Sequence, residues 1–489
     1  MAQERPPVGH QDDETKRRIA KNSKKIYAGG WGVGARGASC GGRWWCGSGA
    51  GAAFQVRDLH RPPRRPRAAP VRPRLLPRVH RRRADEGRVA DVPAVPRRSA
   101  AGRGGAVRPG DAGVPSGGRS GAAGRGGVGL AGGRVCGGDG GGGGFGNIPA
   151  TMRKRCSPED RLQRLKENGG NEKCEEAVVK ALRYFKGNQA GDGSWGGGHK
   201  VAYTGLALLA YLGHCETPLS EKYGETVTNA ITYLVNKSTQ NKGRLGSDLQ
   251  SNQWVYEHAI ATYAIAEAYT FCSQLGVNLP GLHDAVQLGG QTIIDGQNAS
   301  GGWTYRFAED RRNDSSVMAW TLQALKACKH TGIEFRNMAK AARDGLDAFA
   351  NNQHASGAIG YTGPQPKGDG TTLSAAGALC FQLWGKEAHS VPRKACKVIN
   401  KNIKFDYKGK DTDLYGHYYA SQAMINYGGK FWKEYNELFR DGTLAAQNAD
   451  GSWPLPGNTG HGLGNVHYVT CLATLMLEVY YRFLPGTAQ

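Results

Sequence analysis

The side chains best able to do chemistry in this chain stand apart from one another. Eleven cysteines are scattered singly, Cys174, Cys215, Cys272, Cys328, Cys380, Cys396 and Cys471 among them, and no Cys-x-x-Cys pair occurs. Neither a zinc ribbon nor a dithiol redox motif is therefore supported. Most of these cysteines sit in apolar, helix-like surroundings as reduced core thiols do, which favours a cytoplasmic setting. His258 and His467 are each alone near a helix start, where a hydrogen-bonded structural role is the ordinary one. Asp413 heads an apolar run that it can cap. The rings of Tyr203, Trp254, Trp320, Tyr418 and Tyr419 offer faces that stabilise a cation or fill a helical centre.

What positions these residues is a recurring tract. Gln447-Asn448-Ala449-Asp450-Gly451-Ser452-Trp453 has a close copy at Gln189 to Trp195, a looser one at Gln297 to Trp303, and an echo at Gln353 to Tyr361 in which Tyr361 is read as replacing Trp. Two further positions, near 240–246 and 403–411, are where the tract has decayed. Successive copies then fall about 44 to 57 residues apart, a spacing that signals stacked or circularised repeats. Asp-Gly and Ser-Gly pairs favour a tight reversal, because Gly accepts positive φ and Asp or Asn bonds its own backbone. Gln can bond groups left free at a neighbouring helix end while the flat Trp covers it, so each tract reads as a corner that clamps one helix pair to the next.

Between the corners, two kinds of helix alternate. Amphipathic outer helices are expected at 174–186, 223–235, 282–294, 335–350, 392–403 and 431–446. Segments apolar almost all round, which a helix can be only when buried, are expected at 201–212, 254–271, 315–329, 371–384, 414–427 and 467–483. Six such pairs without polar capping repeats imply a ring that closes on itself, an all-α, closed (α/α)6 toroid over 171–485. A short charged helix, with Ser157 as N-cap and Pro158 in its first turn, precedes it within a 151–170 linker.

The first third is different. Of the formal net charge of +23, roughly +18 belongs to residues 1–150 and roughly +5 to the rest, so the basic balance gives no reason to place a nucleic-acid surface on the toroid. From 28 to about 145 the chain lacks Lys, Ile, Asn, Thr, Met and Tyr, a bias hard to reconcile with a folded domain. An RNA-binding or anion-binding Arg/Gly segment, an inert disordered linker, and out-of-frame translation of a GC-rich gene each account for it. Under the last, any native signal or membrane anchor is overwritten, and membrane association would depend on that missing N-terminus. No apolar run of about 18 residues remains, so no transmembrane helix is expected.

The corners at Gln189, Gln297, Gln353 and Gln447, with Trp195, Trp303, Tyr361 and Trp453, resemble the QW repeats of terpenoid cyclases. The six-pair count is similar to the toroid of squalene-hopene cyclases and protein prenyltransferase β-subunits, over about 174–485. In that family the heads of the inner helices line a central cavity. The resemblance thereby implies Tyr203, Trp254, Glu257, His258, Asp314, Trp320, Thr371, Tyr418 and His467 as cavity-lining. Asp411-Thr412-Asp413-Leu414 resembles the cyclase Asp-x-Asp-Asp motif with Leu414 in place of the last Asp. Asp413 is implied as proton donor, with His417 or His258 in support. Asp369-Gly370-Thr371 and Asp413 to His417 resemble the prenyltransferase zinc ligands with one lost and one displaced, so zinc is not expected.

The expected function is to hold an apolar ligand, isoprenoid-like or a peptide, in the central cavity without a complete catalytic set. Two alternatives remain. One is an active polyprenyl cyclase or prenyltransferase using Asp413 as acid. The other is a structural interaction ring with a filled centre.

Overall fold

The computed structural model describes residues 155–307 and 310–482, all within the unit Arg125–Gln489. The 1–150 segment, residues 151–154 and the last residues of the expected toroid lie outside the described residues. Among the described residues the structure is all-helical. After α1 (Pro158–Glu167), six outer helices are α2 (Glu172–Gly187), α4 (Gly224–Gln240), α6 (Leu282–Asp295), α8 (Met338–Asn351), α10 (Ser390–Asn402) and α12 (Gly429–Ala445). They alternate with six inner helices, α3 (Lys200–Gly213), α5 (Trp254–Gln274), α7 (Ser315–His330), α9 (Thr371–Leu383), α11 (Leu414–Tyr427) and α13 (Val466–Leu477). A short α14 (Val479–Arg482) ends them. The expected last inner helix is therefore broken at Glu478, which caps α13.

The two rings separate by burial. Every residue of α3 from Val201 to Gly213 is buried, whereas α2 buries one stripe of Cys174, Ala177, Val178, Ala181, Leu182 and Phe185. Each inner helix packs against the next, and α13 packs on α3, which closes the inner ring. The outer ring closes where α12 meets α2. The helices from Glu172 to Leu477 thus form a closed (α/α)6 toroid.

The corners are built alike. The carboxamide of Gln189 donates to Gly193 O in its own turn and to Thr226 O of the next outer helix, both at 3.0 Å. Gln297 does the same with Gly301 O and Ala341 O, and Gln353 with Gly357 O and Val391 O. Gln447 donates to Gly451 O at 3.0 Å and to Ala177 O of the first outer helix at 2.8 Å, so the last corner sews the ring shut. A Cβ at Gly451, where φ is 93°, would run into the carbonyl of Lys180. The indoles of Trp195, Trp303 and Trp453 are buried and donate back to Phe185 O, Ile293 O and Thr443 O at 2.7 to 2.8 Å.

At the Gln353 corner the sequence reading needs correction. The indole position is taken by Ile359, wholly buried, whose N–H donates to Ser374 Oγ just as that of Trp195 donates to Thr204 Oγ1 and that of Trp453 to Thr470 Oγ1. Tyr361 is two residues further on and faces the central cavity. Ile359 follows Gln353 by the same interval as Trp195 follows Gln189, and that interval decides which side chain enters the wedge.

A second correction concerns the thiols. Cys215 is bonded to Cys156, with Cα atoms 5.0 Å apart, which ties the segment before α1 to the end of α3. Cys174, Cys272, Cys328, Cys380, Cys396 and Cys471 are free and buried. Beside the disulfide, Arg155 and Arg482 pair with the buried Glu267 at 2.7 and 3.0 Å, and Arg482 also donates to Leu209 O. Among the described residues no helix is long and apolar enough to cross a membrane.

Gln447→Leu removes two hydrogen bonds of a half-buried amide, and should lower the unfolding free energy by about 2 kcal/mol. Gln297→Leu should cost the same. A urea titration in which only Gln297→Leu shifts the midpoint would mean that the seam at Gln447 is open in solution.

Candidate functional site

The heads of the inner helices surround one cavity of about 730 Å³. Its wall is aromatic: Tyr203, Tyr256, Tyr305, Trp320, Tyr361, Tyr415 and Tyr468. Their polar tips are tied together. The Tyr305 hydroxyl lies 3.2 Å from that of Tyr256 and 2.7 Å from that of Tyr361, and Tyr256 also meets Ser316 Oγ at 2.5 Å. Trp320 donates its indole N–H to the Tyr415 hydroxyl at 3.1 Å, and Tyr415 in turn meets Tyr419. Burial raises the phenol pKa of Tyr203, Tyr256, Tyr361, Tyr415 and Tyr468, so these hydroxyls stay protonated and neutral.

The mouth is polar and carries two carboxylate-held imidazoles. Glu257, buried at the head of α5, accepts from Ser247 N–H at 3.1 Å and Ser247 Oγ at 2.6 Å, and its other oxygen accepts His199 Nδ1–H at 3.1 Å. Asp413 accepts from Tyr415 N–H as N-cap of α11, from Thr372 Oγ1 at 2.8 Å, and from His461 Nδ1–H at 3.0 Å. Both imidazoles line the cavity. Burial pushes the Asp413 carboxyl up, but the bond and charge of His461, with the Thr372 bond, outweigh this and hold its pKa below the ordinary value. The same bond raises the pKa of His461 against partial burial. Asp369 is occupied by the N–H and hydroxyl of Thr371, and the ammonium of Lys367 lies over the Tyr361 ring.

Of the residues expected at the cavity, Tyr203, Glu257, Trp320 and Thr371 line it, and Asp413 stands directly behind its rim. Five others do not, for a geometric reason: a step of one residue turns a helix by about 100°. Trp254 packs edge-on against Phe307 and His258. His258 is wholly buried, accepts from Leu245 N–H at 2.9 Å and donates to Gly289 O at 3.0 Å. Asp314 caps α7 through Ser316 N–H and Val317 N–H. Tyr418 is buried behind Trp320, stacked on it at 5.3 Å and bonded to Gln323. His467 lies against Tyr184.

The expected support for Asp413 also needs correction. His417 is turned outward, with Nε2–H on Lys404 O at 3.0 Å and Nδ1 facing the Tyr435 hydroxyl at 3.0 Å, and it is 2% exposed. The imidazole beside Asp413 is that of His461. His199 and His461 each follow glycines ahead of an inner helix, Gly196-Gly197-Gly198-His199 and Gly460-His461-Gly462. The two do not align, His199 lying four residues after Trp195 and His461 eight after Trp453, so their shared signal is only a Gly-rich approach to the helix, and their carboxylate partners carry none. Among the described residues no three His, Cys, Asp or Glu side chains gather as a metal site.

An alkene-protonating acid must hold its proton until the substrate arrives. Asp413, ionised by its imidazole neighbour, is instead an acceptor that orients His461.

No protein-family model matches this chain, and no curated protein matches it. Among solved structures it is similar to the α-1,6-mannanase from Salegentibacter sp., at 10% identity over 63% of this chain and 98% of that one, with a TM-score of 0.46. It is also similar to the type II terpene cyclase MstE from Scytonema in complex with geranylgeranyl dihydroxybenzoate, at 12% identity over 66% of this chain and 98% of that one, with a TM-score of 0.41.

Burial lowers the pKa of both His258 and His417 to about 4. Between that value and the unfolded value near 6.5 the unfolded chain binds more protons than the folded one, so stability rises with pH through this window and is lost as pH falls through it. Each shift corresponds to about 3 kcal/mol. These two rings should therefore make urea midpoints drop from pH 7 to pH 4.5, and His417→Gln should flatten that dependence. An unchanged slope in His417→Gln would mean that the ring binds its proton equally well in the folded and unfolded chain.

Proposed function

We propose that the toroid holds an apolar, isoprenoid-like ligand in its central cavity with the ligand's polar end at the mouth. The observation that carries this is the cavity itself. Its volume falls in the range of small-molecule sites, about 300 to 1,000 Å³, and its wall is a ring of aromatic faces whose hydroxyls are mostly engaged with each other. Such a wall offers broad apolar contact and few unsatisfied donors, which suits an unsaturated chain better than a peptide backbone with its regular polar groups. A structural ring with a filled centre would need side chains where this space lies. The cyclase alternative loses support at Asp413, which is ionised and committed to three donors.

The Cys156–Cys215 bond favours an oxidising compartment over the cytoplasmic setting that the free thiols alone suggest.

Calorimetric titration with geranylgeraniol tests this reading. Micromolar binding is expected, and Ala202→Trp, which puts an indole into the cavity from α3, should weaken it at least tenfold while the thermal melt stays cooperative. Equal binding by Ala202→Trp and the unaltered protein would place the ligand elsewhere; no binding of this or a shorter isoprenoid alcohol would count against the proposal itself.

A further inference from the structure

The two imidazole–carboxylate pairs at the mouth do more than a ligand-holding wall requires. Each carboxylate is fixed from behind, Glu257 by the N–H and hydroxyl of Ser247 and Asp413 by Thr372 and the N–H of Tyr415. Each takes the Nδ1–H of a histidine that lines the same cavity. A histidine whose Nδ1–H is committed in this way keeps one tautomer and presents Nε2 as its working nitrogen. The imidazoles are accessible, with side chains 42% exposed for His199 and 58% for His461, while Glu257 and Asp413 are only 3% and 17% exposed. His461 also holds a left-handed backbone, φ 53°, which a residue with a Cβ adopts at a cost.

From these observations we infer that the mouth is a hydrolytic site, with His461 as general base and His199 as general acid, acting on an ester whose apolar acyl chain occupies the aromatic cavity. This rests on the ligand-holding reading above. His461 Nε2 takes a proton from a water molecule as the water oxygen adds to the ester carbonyl carbon. The tetrahedral oxyanion then re-forms its carbonyl and breaks the carbon–oxygen bond to the alcohol, whose oxygen takes a proton from His199 Nε2–H. His461 returns its proton to solvent and His199 regains one, so ester and water become acid and alcohol with no other reactant. The Lys367 ammonium, on the same cavity wall, is the donor available to the oxyanion. Asp413 and Glu257 are positioning residues.

The test uses the full chain with p-nitrophenyl acetate, p-nitrophenyl dodecanoate and ethyl dodecanoate, together with calorimetric binding of 1-dodecanol. Turnover of the dodecanoate with a higher kcat/KM than the acetate is expected, falling at acid pH as the base is protonated. His461→Gln should lower kcat at least 100-fold, with KM within about threefold and 1-dodecanol binding kept. Asp413→Asn, which no longer raises the imidazole pKa, should shift the acid limb of the pH profile downward, a change that a merely structural role would not produce. His199→Gln should cost little on the p-nitrophenyl ester, whose leaving group needs no proton, and at least tenfold on the ethyl ester. Binding of 1-dodecanol without turnover, or turnover unaffected by His461→Gln, overturns the hydrolytic site and leaves the cavity reading standing. Acetate turnover lost in His461→Gln without chain-length preference or 1-dodecanol binding supports the paired imidazoles and overturns the cavity reading. Neither binding nor turnover overturns both.

Discussion

Two carbonyls, one from a corner's own turn and one from the next outer helix, converge on a single glutamine amide, and the toroid is organised by that requirement. The amide has two N–H groups diverging by a fixed angle, so satisfying both sets the distance and tilt between consecutive helix pairs together. Thr226, Ala341, Val391 and Ala177 supply the helix carbonyl at the four intact corners. That step is taken at four of the six corners, and the sixth outer helix arrives beside the first. Gln447 then finds its second acceptor on α2, 270 residues away in sequence, with the geometry that Gln189 finds 37 residues away. Closure is the accumulated result of a local bond.

That repetition also makes the site. All inner helices begin at one end of the ring, so whatever their first turns present is gathered there. In four of these helices, positions one or two residues apart near the start have opposite fates. Tyr203, Glu257, Tyr415 and Tyr468 face the centre, while Thr204, His258, His417 and Thr470 face the corner behind them. At three corners the outward residue is a hydroxyl that receives the N–H of the wedge residue, Trp195, Ile359 or Trp453. At the two decayed corners it is a histidine. His258 receives Leu245 N–H, and His417 reaches Lys404 O.

This explains what could be read from residues alone. The Gln and Trp positions, the Asp-Gly turns and the alternation of amphipathic with wholly apolar segments repeat, and repetition made the all-α closed ring legible. Individual lining residues were harder, because choosing between His258 and Glu257, or between His417 and Tyr415, needs helix phase to within about 100°. The echo at Gln353 misled for a similar reason: Tyr361 looked like a displaced Trp, whereas Ile359 holds the interval and Tyr361 was free to join the cavity wall. The imidazole–carboxylate pairs were not legible, since His199 meets Glu257 across 58 residues and His461 meets Asp413 across 48, contacts that exist only once the ring is built. Nor did the scattered cysteines announce that Cys156 and Cys215 meet.

The neighbour of Asp413 decides what an aspartate at the head of α11 can do. Next to a second carboxylate in a dry setting it would resist ionisation and keep a proton to give, as the resemblance to the cyclase motif implies. Here the following residue is Leu414, buried in the core, and the partner that closes on the carboxylate comes from another corner as His461. An imidazole has the opposite effect, favouring the charged carboxylate and gaining basicity in return. One exchange of neighbour thus leaves an ionised carboxylate behind the rim and places a more basic nitrogen on the cavity wall, at the same helix head of the same ring.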